Sequence, residues 1–223
     1  MRRGGGGGGV GHLIACLAVT LLAAPLQAQR GGDPRLDVTL PPTDRTALEA
    51  PYVRSLNIFG NRRVRELLHS GFPARLHFRL ELWNTRGLFD DLLSRAEWDV
   101  IVRYSPLDRQ YVVARIEGSR ATPLGTFTEL EHVETIVGSP FQPAIKLSSR
   151  RGGHYYNAVL DVEMLSVNDL DEVERWLRGE LRPAVRGERN PGTAVTRGVR
   201  TLVVTLLGGE GGHYEARTRK FRP

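Results

Sequence analysis

Alternating apolar and polar residues predict a protein built mainly of β-strands. In the clearest stretch, residues 75–82, one side of the predicted strand carries Leu76, Phe78, Leu80 and Leu82, and the other carries Arg75, His77, Arg79 and Glu81. Successive side chains of a strand point to opposite faces of its sheet. We therefore expect the leucine side to enter a core and the charged side to meet water.

Other stretches repeat the alternation. Residues 98–104 and 111–116 are separated by the turn sequence Ser105-Pro106-Leu107-Asp108, which predicts an antiparallel hairpin. Further strands are predicted over residues 36–40, 52–59, 145–148, 154–165, 202–207 and 214–221.

Helical spacing of apolar residues interrupts these strands. Three segments combine that spacing with a capping residue and a closing glycine: Asn61 to Gly71, Thr128 to Gly138 with Glu131 completing a capping box, and Ser166 or Asn168 to Gly179. Residues 87–95 place Leu88, Phe89, Leu92 and Leu93 at helical spacing, which predicts a short helix or a compact loop.

The predicted fold class is mainly β: an antiparallel β-sandwich with three or four short helices between strands. Helices that fall between hairpins, and not after every strand, argue against a parallel doubly wound sheet. We expect residues 51–223 to form one sandwich-like domain with a mobile loop at 179–198, which is rich in Arg, Gly and Pro. Residues 29–50 are predicted to form a flexible segment with an edge strand.

The first 28 residues have the features of a secretory signal peptide. Arg2 and Arg3 precede a short apolar block over residues 13–24, and Leu26-Gln27-Ala28 provides a small residue at the cleavage position. The apolar block is shorter than the roughly 20 residues that span a bilayer. We expect cleavage after Ala28 and a periplasmic or extracellular location, with an uncleaved N-terminal membrane anchor as the alternative.

Charge and cysteine content narrow the classes of function. The formal net charge is +6, and removal of residues 1–28 takes away two arginines and no acidic residue, which leaves +4. Only Lys146 and Lys220 are lysines, and an exported chain would rarely meet nucleic acid. Its single cysteine, Cys16, lies in the leader, which excludes a disulfide framework and a zinc ribbon. No cofactor or metal is expected.

Four segments in order resemble an uncharacterised family of exported bacterial proteins, the domain-of-unknown-function 4390 family. They are a helix leading into Gly71-Phe72-Pro73 and the strand that ends at Trp83, Leu88-Phe89-Asp90, the hairpin from Val102 to Tyr111, and Phe127-Thr128-Glu129-Leu130-Glu131. The resemblance covers most of residues 36–221. It implies an N-terminal export or anchor segment, and it implies no catalytic residue.

Arginines on neighbouring strands suggest a binding surface. Six of them are expected to converge: Arg75, Arg79, Arg103, Arg115, Arg150 and Arg151. Guanidinium groups on one sheet face would bind a polyanionic envelope polymer, lipid headgroups or an acidic partner protein. The alternative is an ordinary solvated face balanced by Glu81, Asp99 and Glu117.

The sequence Gly-Gly-His-Tyr occurs twice, at 152–155 and at 211–214. One interpretation places His154, Tyr155, His213 and Tyr214 at neighbouring hairpin ends as a shared titratable site. The other is structural: Gly-Gly supplies a turn and Tyr favours a strand.

These observations favour an exported, non-enzymatic binding module whose partner is an envelope or membrane protein. No constellation of catalytic residues can be recognised, and exposed strand edges and the 179–198 loop are the expected contact surfaces. Two alternatives stay open: an envelope hydrolase that uses His154 and His213, and a carrier that holds an apolar ligand between its sheets.

Overall fold

A computed structural model describes residues 32–86, 89–148, 152–165 and 212–222. This part of the chain contains eight strands, all paired antiparallel: β1 (Arg35–Thr39), β2 (Tyr52–Leu56), β3 (Ala74–Arg86), β4 (Phe89–Ser105), β5 (Gln110–Glu117), β6 (Arg120–Phe127), β7 (Gly153–Met164) and β8 (Gly212–Arg217). It also contains the helices α1 (Arg62–His69) and α2 (Leu130–Val137) and a 3-10 turn, Ile58–Gly60.

Six strands form one sheet in the order β6-β5-β4-β3-β7-β8, and β1 and β2 form a separate two-stranded ribbon. The prediction of a mainly β, antiparallel protein is therefore confirmed. The described residues contain two α-helices, so the prediction of three or four is wrong for this part of the chain. A complete second sheet, as a sandwich requires, is not among them.

One face of the large sheet carries the hydrophobic core. Leu76, Phe78, Leu80 and Leu82 of β3 are buried there, together with Val100 and Val102 of β4 and Leu160 and Val162 of β7. The ribbon strand β1 packs over β7 and β8 on this face, α1 contacts β4 and β7, and α2 contacts β5 and β6. The core is thus closed by a mixed layer of ribbon, helices and loops.

Local signals explain the ends of α1, whereas the capping signal predicted for α2 is wrong. Asn61 caps α1, because its side-chain oxygen accepts hydrogen bonds from the backbone N–H groups of Arg63 (2.8 Å) and Val64 (3.4 Å). Gly71 follows α1 with a φ of 91°, as predicted for a left-handed stop. The predicted capping box of α2 is wrong, since its N-cap is Glu129 and makes no side-chain capping bond.

The helix or compact loop predicted over 87–95 is also wrong, because residues from Phe89 onward belong to β4 and pair with β3. The strand predicted over 145–148 is not present; that stretch is irregular. The strand predicted within residues 29–50 is present as β1, and in the described part of this predicted flexible segment Leu36, Thr46 and Ala50 are buried.

Several predictions lie outside the described residues: the signal peptide, the helix that begins at Ser166 or Asn168, the loop at 179–198 and the strand at 202–207. Within the described ranges, no helix combines the length and the hydrophobicity needed to cross a membrane.

Candidate functional site

The second face of the large sheet carries charged residues that are not solvated as the sequence predicts. Arg75 is only 2% exposed, although its alternation with leucines places it on the polar side of β3. Glu81 on the same strand and Asp99 on β4 are buried as well. Buried charges require partners, and these residues find them across the sheet.

Arg75 joins three neighbouring strands. Its Nε donates to Asp99 Oδ1 on β4 at 2.9 Å and its Nη2 donates to Asp99 Oδ2 at 3.2 Å, a two-point contact. Its Nη1 donates to Glu163 Oε2 on β7 at 3.4 Å. We call Arg75, Asp99, Glu163 and His77 the buried ion cluster.

His77 completes this cluster, with its Nδ1 2.8 Å from Asp99 Oδ1. Burial by itself raises the pKa of Asp99, but the His77 hydrogen bond and the Arg75 charge outweigh it. The pKa of Asp99 therefore lies below its ordinary value. Burial raises the pKa of Glu163 above its ordinary value, against the opposing charge of Arg75. The pKa values of the two carboxyl groups that contact Arg75 are thus shifted in opposite directions.

The six arginines proposed as a binding surface do not share one face. Arg75, Arg79 and Arg103 lie on the polar face, and Arg79 Nε is 3.1 Å from Glu81 Oε1. Arg115 lies on the opposite, core-bearing face, because it stands directly across from Val100. Arg150 and Arg151 are outside the described residues. The polar face is therefore a network of opposite charges.

The four residues of the alternative His/Tyr site are also separated. Strand register pairs His213 with Asp161 and Tyr214 with Leu160, six to seven residues along β7 from His154. At about 3.3 Å per residue this is roughly 20 Å. The alternation of β7 places His154 and Tyr214 on the core-bearing face and Tyr155 and His213 on the polar face. The structure does not bring these four side chains together.

Three of these residues have a local hydrogen-bonding partner. His154 is fully buried, with its Nε2 3.2 Å from Asn84 Nδ2, and burial lowers its pKa. Tyr155 donates to Asp90 Oδ2 at 2.9 Å, and burial followed by this hydrogen bond raises the pKa of Tyr155. His213 Nδ1 lies 2.6 Å from Asp161 Oδ1 at the surface.

A strand edge is the feature that the sequence did not reveal. β5 pairs with β4 only from Asp99 onward, so in the described part of the chain the backbone of residues 89–97 is paired with β3 alone. We call this stretch the β4 edge. Phe89 and Leu92 within it are 81% and 42% exposed. The helical spacing of its apolar residues led to the wrong prediction of a helix or loop, and the pairing with the end of β3 is seen only in the structure.

A cavity of about 90 Å³ lies between the sheet and α2. Ligand pockets commonly measure roughly 300–1,000 Å³, so this cavity is too small for the larger apolar ligand of the carrier hypothesis. Among the described residues, no three His, Cys, Asp or Glu side chains are arranged to hold a metal ion.

Comparison with known proteins relates this chain to a protein family. The model of a family described as a domain of unknown function (DUF4390) matches residues 54–170. Neither the curated proteins nor the solved structures contain a match to this chain. The matched range includes α1, α2 and β3 to β7, and with them the buried ion cluster and the β4 edge.

Proposed function

Because this chain belongs to the DUF4390 family, whose description assigns no activity, we propose a function from its own residues. It is an exported, non-enzymatic binding module of the cell envelope. Its partner is an envelope or membrane protein that supplies an extended segment, and this segment adds to the large sheet as a further strand beside the β4 edge.

The observation that carries this proposal is the unpaired backbone of the β4 edge. Nine residues of a strand extend over about 30 Å, and alternate residues direct their N–H and C=O groups away from β3. A row of such groups is a template for another strand. β6, the last strand at one end of the described sheet, is less suitable because Pro123 lacks an amide donor.

The side chains of the β4 edge indicate the chemistry of the partner. Phe89 and Leu92 are exposed apolar anchors, and Asp90 and Asp91 lie between them. Asp90, Asp91 and Glu97 against Arg95 give the stretch a net charge of −2. The complementary segment is extended and carries apolar side chains together with lysine or arginine.

Features of the same edge disfavour pairing between copies of this chain. The register shifts between Leu82 and Trp83 of β3, so the opposing part of β4 contains a bulge. Bulges and charged side chains protect exposed strand edges from self-association. Ser94 also donates to the carbonyl of Lys146 at 2.6 Å, which fixes a loop beside the strand without using its backbone groups.

Selection of peptides on the purified exported chain tests the proposal. Random linear peptides displayed on phage should yield sequences that alternate apolar residues with Lys or Arg. Phe89→Ser should weaken their binding by at least about tenfold, because exposed aromatic anchors dominate interface energies. Leu107→Ser is the matched control: Leu107 is 96% exposed in the turn between β4 and β5, beyond the other end of β4.

Peptides that bind the Phe89→Ser variant as tightly as the wild-type chain would contradict the proposal. So would selected sequences without basic residues, or an equal loss of binding in the Leu107→Ser control.

The export step has its own test. Mass spectrometry of the protein from the cell envelope should show a new N-terminus at Gln29, because cleavage after Ala28 removes the apolar leader. Retention of Met1 would support the uncleaved anchor instead.

A further inference from the structure

Arg115 is the one arginine of the six predicted that the described residues place on the core-bearing face of the sheet. Register sets it opposite Val100 on β4 and Thr122 on β6. A guanidinium beside an apolar layer is costly unless it has a partner. Ligand-binding sites commonly combine an apolar cavity with a few polar groups, and the position of Arg115 fits this arrangement.

Arg115 lines the 90 Å³ cavity between the sheet and α2. Aromatic side chains form its walls: Phe78 and Trp98 stack with ring centroids 5.0 Å apart, and Phe141 meets Trp98 edge-on at 5.2 Å. Val53, Ile136 and Val137 contribute to the rest of its apolar lining. The space admits a compact apolar group of about three or four carbon atoms, given that a cavity of about 150 Å³ takes benzene.

The guanidinium of Arg115 is held from two sides. Its Cζ lies 3.9 Å from the centroid of the Phe141 ring, and its Nε donates to Glu117 Oε1 at 3.1 Å. No described residue accepts a hydrogen bond from Nη1 or Nη2. The side chain is thus fixed in place, while Nη1 and Nη2 remain available as donors. A guanidinium in this geometry binds a carboxylate through two parallel hydrogen bonds.

We propose that this cavity binds a carboxylate attached to a compact apolar group. The carboxylate pairs with Nη1 and Nη2 of Arg115, and the apolar group enters the aromatic cavity. Two sources share this chemistry: a free short-chain carboxylic acid, and the C-terminal carboxylate of a peptide that ends in an apolar residue. The site is separate from the β4 edge and does not rest on the proposed function.

Titration of the purified exported chain, followed by NMR, tests the site. The probes are 3-methylbutanoate, its neutral amide, and a short peptide ending in leucine with a free or an amidated C-terminus. The acid should bind, and the amide should bind at least about tenfold more weakly, because hydrogen bonds to charged groups are the strong ones. Tighter binding of the free-acid peptide than of 3-methylbutanoate, with no binding of the amidated peptide, would identify a C-terminus as the source, and the reverse order would identify a free acid.

Three variants separate binding from folding. Arg115→Gln should weaken binding of the acid at least about tenfold, and Arg120→Gln, an exposed arginine on β6, should not change it. Ser139→Trp introduces a large side chain at an exposed position that lines the cavity, and should abolish binding even if Arg115→Gln fails to fold. Equal affinity for acid and amide, unchanged binding in Ser139→Trp, or no binding of any probe would overturn the proposal.

Discussion

Arg75 shows how far a single residue can be understood from sequence. Its position in the alternation of residues 75–82 correctly predicts that it lies opposite the leucines. Its burial could not be predicted, because its partners Asp99 and Glu163 are 24 and 88 residues away. A strand pattern assigns a side chain to a face, but only the strand order decides which charges meet there.

The two carboxylates bound to Arg75 should respond differently to neutralisation. Asp99→Asn leaves a buried guanidinium without its two-point partner and should lower the free energy of unfolding by about 3–5 kcal/mol at pH 7. Glu163→Gln should cost clearly less, because burial already raises the pKa of Glu163 and disfavours its ionised form. Urea denaturation of the exported chain and both variants measures the difference.

The pKa shifts of Asp99 and Glu163 predict how the stability of the protein depends on pH. The folded-state pKa of Asp99 lies below its unfolded value of 3.8, so the stability it contributes is present above about pH 4 and is lost at lower pH. For Glu163 the sign is opposite: its folded pKa lies above 4.5, so acidification from pH 7 stabilises the wild type relative to Glu163→Gln. Parallel pH profiles for the two variants would contradict this assignment.

At the level of elements, the sequence predicts a helix or strand correctly where the residues that indicate it lie within the segment itself. The strands β3 and β7 and the helix α1 follow from periodicity and from caps that lie within a few residues. The prediction for residues 87–95 is wrong because a short apolar run fits a helix and a strand equally well. Its pairing with β3 resolved the ambiguity, and the candidate binding edge was missed for the same reason.

The two helices offer a matched test of capping. Asn61→Ala should reduce the free energy of unfolding by about 1 kcal/mol, because it removes the acceptor for Arg63 N–H and Val64 N–H. Glu129→Ala at the N-cap of α2 should change it by less than about 0.5 kcal/mol, since Glu129 makes no side-chain capping bond. Equal losses in thermal or urea unfolding would show that the cap of α1 has been misassigned.

For the whole molecule, hairpins in the sequence indicated antiparallel pairing but not the strand order. β7 lies beside β3, at the centre of the sheet, although α2 and three strands separate them in the chain. The register of β5 on β4 places Arg115 on the face opposite Arg75, and the register of β8 on β7 places His154 and His213 far apart. The β4 edge also results from the arrangement of whole strands, because β3 and β4 extend beyond the end of β5.

Amide hydrogen exchange, read by NMR on the exported chain with and without a selected peptide, tests the central claim most directly. If the peptide adds as a strand, amides at alternate positions of residues 89–97 should become protected, while those of the turn at 106–109 stay unchanged. Protection confined to another edge or to side-chain contacts, with the exchange of residues 89–97 unaltered, would contradict it.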